Sequence, residues 1–159
     1  MKMGKGPDIR TILVPTDFSS CSGAALEYAI MTAKRFKADL ILIHVIEPFP
    51  YGVLESLVAP DPMGTLKSET QSLLDQLSKK ALNEGLSVET HIVIGIPYRE
   101  IVKRAKRDEA YMIVMGTRGR TGVERLLIGS VAEKVVRSAS CPVLTVQAAP
   151  EAKRGKKQS

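Results

Sequence analysis

The chain has no tryptophan, only three phenylalanines and four tyrosines, and an aromatic content of 4%. So few rings argue against a single-stranded nucleic-acid binder, which stacks bases on aromatic side chains. Cysteine is as scarce. Cys21 and Cys141 are too few for a disulfide framework, and neither has a CxxC partner. They read as small apolar residues at the edge of a core. The two histidines, His44 and His91, sit in apolar, strand-like runs with no clustered Cys, His or carboxylate partner, so no structural metal site is expected. No apolar stretch approaches the roughly 20 residues that span a bilayer. The opening "MKMGKGPD" lacks the apolar core of a signal peptide. The expected location is the cytoplasm.

What is present is one domain of ordinary globular sequence. Its 159 residues, 44% hydrophobic and 25% charged, are enough to bury a core without staples. The net charge of +6 hints at a polyanion partner until it is located. The last nine residues, "EAKRGKKQS", carry +3 and the first six carry +2, leaving +1 for the body. A basic tail of this kind is usually a solvated terminus. The expected organisation is a flexible N-terminus over residues 1–8, one domain over 9–148, and a basic, flexible tail over 149–159.

Five apolar runs alternate with four amphipathic stretches. "DIRTILVPTD" holds a first strand ending at Pro15, and Ser19 and Ser20 can cap the helix after it. In that helix Leu26, Ala29, Ile30, Ala33 and Phe36 recur at helical spacing. "ADLILIHVI" is continuous and apolar, as suits a strand buried on both faces. A loop from Pro48 to Gly64 leads to a second helix over roughly Leu66 to Glu84, with Leu66, Leu73, Leu74, Leu77 and Ala81 on one face and Gly85 as its stop. "LSVETHIVIG" is a third strand. Pro97 opens a third helix with Ile101, Val102 and Ala105 inward. "AYMIVMG" is a fourth strand, Ser130 begins a fourth helix with Ala132, Val135, Val136 and Ala139 on one face, and "CPVLTV" is a fifth strand. The alternation implies one α/β domain, a parallel sheet with helices on both faces.

Ligands of such sheets bind at the carboxyl ends of the strands. Three loops leave those ends: "PTDFS", "HVIEP" and "GTRGRTGVERLLIGS". Asp17 offers a carboxylate for ribose hydroxyls, for a metal ion, or for capping the next helix. Gly116 and Gly119 can bring bare backbone N–H groups close to phosphate oxygens. Gly129 and Ser130 open a helix whose free N–H groups and dipole favour an anion. Leu126, Leu127 and Ile128 can pin the loop to the core, while Arg118, Arg120 and Arg125 either reach phosphates or solvate the loop, with Glu124 within pairing range. The spacing Gly-x2-Gly-x9-Gly-Ser is neither a P-loop nor the GxGxxG of a dinucleotide fold.

"ILVPTDFS", "GTRGRTGVERLLIGSVAEKVV" and "CPVLTV" together resemble the universal stress protein family, over roughly residues 9 to 147. The resemblance implies a single open five-stranded parallel sheet in the order 3-2-1-4-5, of the adenine nucleotide alpha-hydrolase-like kind. It also implies a homodimer joined through the last strand, Val143 to Val146. The glycine spacing marks the subgroup that binds ATP, AMP or another adenine nucleotide. By position, Pro15, Thr16 and Asp17 would line the adenosine pocket, and the backbone of Val45 would recognise adenine. Met115, Gly116, Arg118 and Gly119 would form the fourth-strand loop, and Gly129, Ser130 and Val131 the phosphate end. Mg²⁺ or Mn²⁺ would accompany the nucleotide, with Asp17 reaching the ion indirectly, through the metal-bound nucleotide.

The function this implies is a nucleotide-dependent stress-response or regulatory protein with an unknown protein partner. A slow ATP hydrolase or phosphotransferase is the alternative. It would need a group to activate water and a cation for the transferring phosphoryl, and no P-loop lysine stands in the motif, so binding without turnover is expected. A docking module working through the basic tail is the third reading. Neither a membrane nor nucleic acid is expected as a partner.

Overall fold

The computed structural model describes residues 10–48, 61–118 and 128–148. Their elements alternate in chain order: β1 (Thr11–Pro15), α1 (Ser20–Phe36), β2 (Asp39–Ile46), α2 (Pro62–Asn83), β3 (Val88–Ile94), α3 (Pro97–Arg107), β4 (Met112–Gly116), α4 (Ser130–Ser138) and β5 (Val143–Val146). The strands form one parallel sheet in the order β3-β2-β1-β4-β5. That is the open α/β architecture expected above. Residues 1–9, 49–60, 119–127 and 149–159 lie outside the described residues, and with them the expected termini and most of the loop after Pro48.

The sheet feeds two cores, which is why its inner strands β1, β2 and β4 are largely continuous in apolar residues rather than alternating. Ile12, Val14, Leu40, Leu42 and Val114 pack on one face against Ala25, Leu26, Ala29 and Ala33 of α1 and Leu74 and Ala81 of α2. Leu13, Ile41, Ile43, Ile113 and Met115 pack on the other against Ile101 and Ala105 of α3 and Ala132 and Val135 of α4.

The helix ends follow their local chemistry. Ser19 caps α1 by accepting the Ser22 N–H, and Lys37 ends it in the left-handed region, donating its N–H to Ala33. Helix α2 starts at Pro62, inside the stretch read as loop. Asp61 caps it by accepting the Gly64 N–H at 2.9 Å, and proline fits the first turn. Gly85, at φ 78°, turns the chain out of that helix into β3.

Three residues expected to face inward do not. Phe36 is 53% exposed, Leu73 42% and Val136 48%. On α2 the buried stripe is Thr70, Leu74, Ser78 and Ala81, so two polar residues take core-facing places and Leu73 is turned to the flank.

Candidate functional site

The sheet itself opens the site. β1 and β4 pair only through Ile12 and Leu13, so their carboxyl ends part. β1 and β2 stay paired to Pro15 and Ile43, and the Thr16 N–H adds one more bond to the Ile43 carbonyl at 2.9 Å. Backbone direction repeats every two residues along a strand. The N–H and C=O of Val45 therefore point to the same side as those of Ile43, beyond the end of β1, where no strand pairs them. Between these strand ends lies a cleft of about 520 Å³, a size typical of small-molecule sites.

Ten of the eleven residues singled out in the sequence line this cleft: Pro15, Thr16, Asp17, Val45, Met115, Gly116, Arg118, Gly129, Ser130 and Val131. Gly119 lies outside the described residues, as do Arg120, Glu124, Arg125, Leu126 and Leu127. Ile128 packs against the α3–α4 core. The cleft also takes in residues the sequence did not mark, among them Glu47, Leu66 of α2, Pro97 of α3 and Thr117. Leu66 and Pro97 could not be found from motif spacing, because only the fold brings two helix starts to these strand ends.

The turn from β1 into α1 is tightly bonded. Thr16 Oγ1 accepts the Phe18 N–H at 3.1 Å and lies 3.2 Å from the Ser22 hydroxyl. Asp17 Oδ1 accepts the Ser19 N–H at 3.0 Å. Asp17 thus braces the turn ahead of the cap without being the cap, and its second oxygen is the one left for a ligand. His44 has a backbone partner: its Nδ1 lies 2.7 Å from the Thr16 carbonyl oxygen. On the far side of this turn, a smaller cavity of about 170 Å³ separates α1 from α2, with Thr16 and Ser22 lining both spaces.

The glycines differ in what they are for. A β-carbon on Gly116 would lie 2.9 Å from both the carbonyl carbon and the β-carbon of Cys21. Close packing of β4 on α1 is thus a sufficient reason for that glycine, whatever binds in the cleft. Gly129, at φ −76° and ψ 161°, has a backbone any residue adopts. Its N–H donates to the Thr117 carbonyl at 2.5 Å, closing the neck of the loop, and so is not free to meet an anion. The open donors are the N–H groups of Ser130, Val131 and Ala132, which have no intrahelical partner in the first turn of α4. Beside them the Thr117 hydroxyl and Arg118 Nε are buried without a hydrogen-bond partner. A buried orphan of this kind costs about 1–3 kcal/mol, which an incoming acceptor would recover.

Charge in the cleft is mixed, with Asp17 and Glu47 against Arg118. Among the described residues no group of three or more His, Cys, Asp or Glu could hold a metal ion. His91 is not alone as expected: Glu89 lies 3.1 Å from its Nε2 and the Arg104 guanidinium 2.6 Å away, on the α3 side of β3 and away from the cleft. Arg104 also binds Asp108. Burial pushes the Asp108 carboxyl up, but hydrogen bonds from Arg107 and Arg104 outweigh it and hold it below the usual carboxylate range. Burial raises the Cys141 thiol, and Cys21 is buried, as their reading as core-edge residues requires. No helix among the described residues is long and apolar enough to cross a membrane.

Sheet order and cleft position place the chain among the doubly wound α/β proteins, whose crevice lies where the strand order reverses. More specifically, it belongs to the universal stress protein family, whose model matches residues 8–147. Universal stress protein MJ0531 of Methanocaldococcus jannaschii is 40% identical over 139 residues, covering 87% of this chain and 82% of the relative. The solved structure of MJ0577 from the same organism is 31% identical, with a TM-score of 0.81 over 91% of this chain and all of that one. A solved universal stress protein in complex with cAMP is 25% identical, with a TM-score of 0.70 over 90% of this chain and 100% of that one.

Proposed function

We propose that this protein is a cytoplasmic, adenine-nucleotide-binding member of its family, and that residues 9–148 are its nucleotide-binding domain. The observation that carries this reading is the pairing of two features across one cleft of about 520 Å³. At one side Val45 presents backbone N–H and C=O groups that no strand covers, suited to the edge of a base. At the other, the start of α4 gathers open N–H groups with the orphaned Thr117 and Arg118 donors, suited to phosphate. Asp17, on the β1 turn, lines the same cleft and is a partner for ribose hydroxyls or a nucleotide-borne cation. The complex of a relative with cAMP supports the ligand class.

ATP and AMP are the ligands proposed, with Pro15, Thr16, Met115, Gly116 and Gly119 shaping the pocket and Gly129, Ser130 and Val131 the phosphate end. Mg²⁺ or Mn²⁺ fits this donor set only as a companion of the nucleotide. One carboxylate plus phosphate oxygens is an ordinary environment for Mg²⁺. Bound to the phosphates, the ion would screen their charge beside Asp17. No lysine lines the cleft among the described residues, so the reading is occupancy read by a partner, not turnover. A homodimer across β5 is part of it, because Val143–Val146 is an edge strand of the sheet, and a strand edge can pair with a second copy. Calorimetric titration with ATP, ADP and AMP tests the ligand class. Binding of at least one below millimolar concentration is expected, and no heat from any of the three up to that level would contradict it.

A further inference from the structure

The turn Pro15–Ser19 carries three of the cleft residues, and its shape is not one the chain adopts freely. Phe18 sits at φ 64°, in the left-handed region, which a β-carbon disfavours. Such a residue persists only where its surroundings over-determine it. The Phe18 N–H is held by Thr16 Oγ1, as described, its side chain packs against the α1–α2 core, and one side chain on β2 meets both Phe18 and Thr16. His44 lines the cleft at the end of β2, and by strand alternation its side chain shares the sheet face of Leu40 and Leu42, on the α1–α2 side. There its ring meets the Phe18 ring at 4.7 Å between centroids, tilted by 34°. Its Nδ1 is 2.7 Å from the Thr16 carbonyl oxygen. A carbonyl oxygen only accepts, so Nδ1 carries the proton in this contact and the neutral ring is the Nδ1–H tautomer.

We propose that His44 is a positioning residue for the ligand cleft: by donating Nδ1–H to Thr16 and packing on Phe18, it holds the turn that presents Asp17 to the ligand. The proposal rests on the nucleotide reading above and adds to it a residue that acts through the β1 turn. Loss of the imidazole frees the Thr16 carbonyl and the left-handed Phe18 together, and the Asp17 carboxylate between them loses its aim. An effect that passes through Asp17 disappears when Asp17 is already gone.

The test is ATP affinity by calorimetry for the wild type, His44→Ala, His44→Asn, His44→Gln, Asp17→Ala and the double variant His44→Ala/Asp17→Ala. Thermal midpoints are measured alongside. His44→Ala is expected to weaken ATP by about tenfold, the equivalent of one hydrogen bond. His44→Asn, whose amide nitrogen can stand where Nδ1 stood, should stay within about threefold of wild type. His44→Gln, which places its amide nearer the Nε2 position, should resemble His44→Ala. The double variant should bind no more weakly than Asp17→Ala alone. Additive losses, or an asparagine variant no better than alanine, would overturn the proposal, since a general loss of stability predicts neither rescue nor coupling. The imidazole ¹⁵N signals of the ligand-free protein separate this claim from the nucleotide reading. A proton on Nδ1 is expected. Wild-type ATP binding with the neutral proton on Nε2 would overturn the His44 role alone, whereas no ATP binding by the wild type would overturn both.

Discussion

Gly116→Ala tests whether packing or ligand access explains the first glycine of the motif. The added methyl would lie 2.9 Å from the Cys21 carbonyl carbon, 2.9 Å from the Cys21 β-carbon and 3.0 Å from the Ser22 nitrogen. Two of these are backbone atoms in the first turn of α1, and no side-chain rotation removes them. That turn is itself anchored, by the Ser19 cap and by the Thr16–Ser22 hydroxyl contact. Either β4 or α1 must move, and overpacking of this kind costs about 1–3 kcal/mol. For a chain of this length each kcal/mol lowers the melting midpoint by about 2–4 °C, so a fall of about 2–12 °C is expected. Thermal unfolding by circular dichroism reads it, with a urea series to show that the slope is unchanged. Because β4 and the β1 turn bound the cleft, ATP affinity should fall with stability. A midpoint within about 1 °C of wild type would refute the packing argument. If ATP binding were lost at the same time, Gly116 would be serving the ligand alone.

Three further outcomes are expected. Ser130→Ala should remove a hydrogen bond to a charged group, worth about 1.5–3 kcal/mol, and so weaken ATP about 10- to 150-fold. Adenosine should bind the same variant as it binds wild type, and equal losses for both ligands would make Ser130 a support of the fold. Leu144→Lys, at a position 37% exposed on the β5 edge, should shift a dimer toward monomer in light scattering and leave ATP affinity alone. A wild-type protein that is monomeric at working concentration would contradict that assembly. Asp108→Asn should lower stability by about 1 kcal/mol at pH 7. The Asp108 carboxyl titrates below its unfolded value, so its contribution is complete above about pH 4 and is lost as pH falls through the depressed value. Urea midpoints of the two proteins should therefore converge in acid, and a constant gap would contradict the assignment.

The fold was legible because the inner strands β1, β2 and β4 are largely continuous apolar runs and each helix carries its own punctuation. Ser19, Gly85 and Pro97 mark helix boundaries close to where the structure has them. Side-chain direction was less legible. Leu73 looked inward by hydrophobicity, yet Thr70 and Ser78 hold the buried stripe of α2, with the Ser78 hydroxyl donating to the Asp75 carbonyl. A polar residue that satisfies itself on its own helix leaves no trace in a hydrophobic pattern. The α2 start is hidden for a related reason: Asp61-Pro62 reads as loop until the Asp61 carboxylate is seen accepting the Gly64 N–H. In the cleft, glycine and serine spacing drew attention to the α4 end. It could not reveal that the Gly129 N–H is already engaged, or that His44 reaches from β2 to the β1 turn. Those contacts join residues distant in sequence, and only the strand order brings them together.

We propose that the cleft between the β1 turn and the start of α4 holds a nucleotide by its phosphates. Equilibrium dialysis of labelled ATP against the wild type and Gly129→Arg, side by side, tests it most directly. The backbone at Gly129 accepts any side chain, so the variant should fold with an unchanged melting midpoint, while its arginine fills the space proposed for phosphate. The wild type is expected to retain ATP and the folded variant to lose it. Equal retention by both proteins would contradict the proposal.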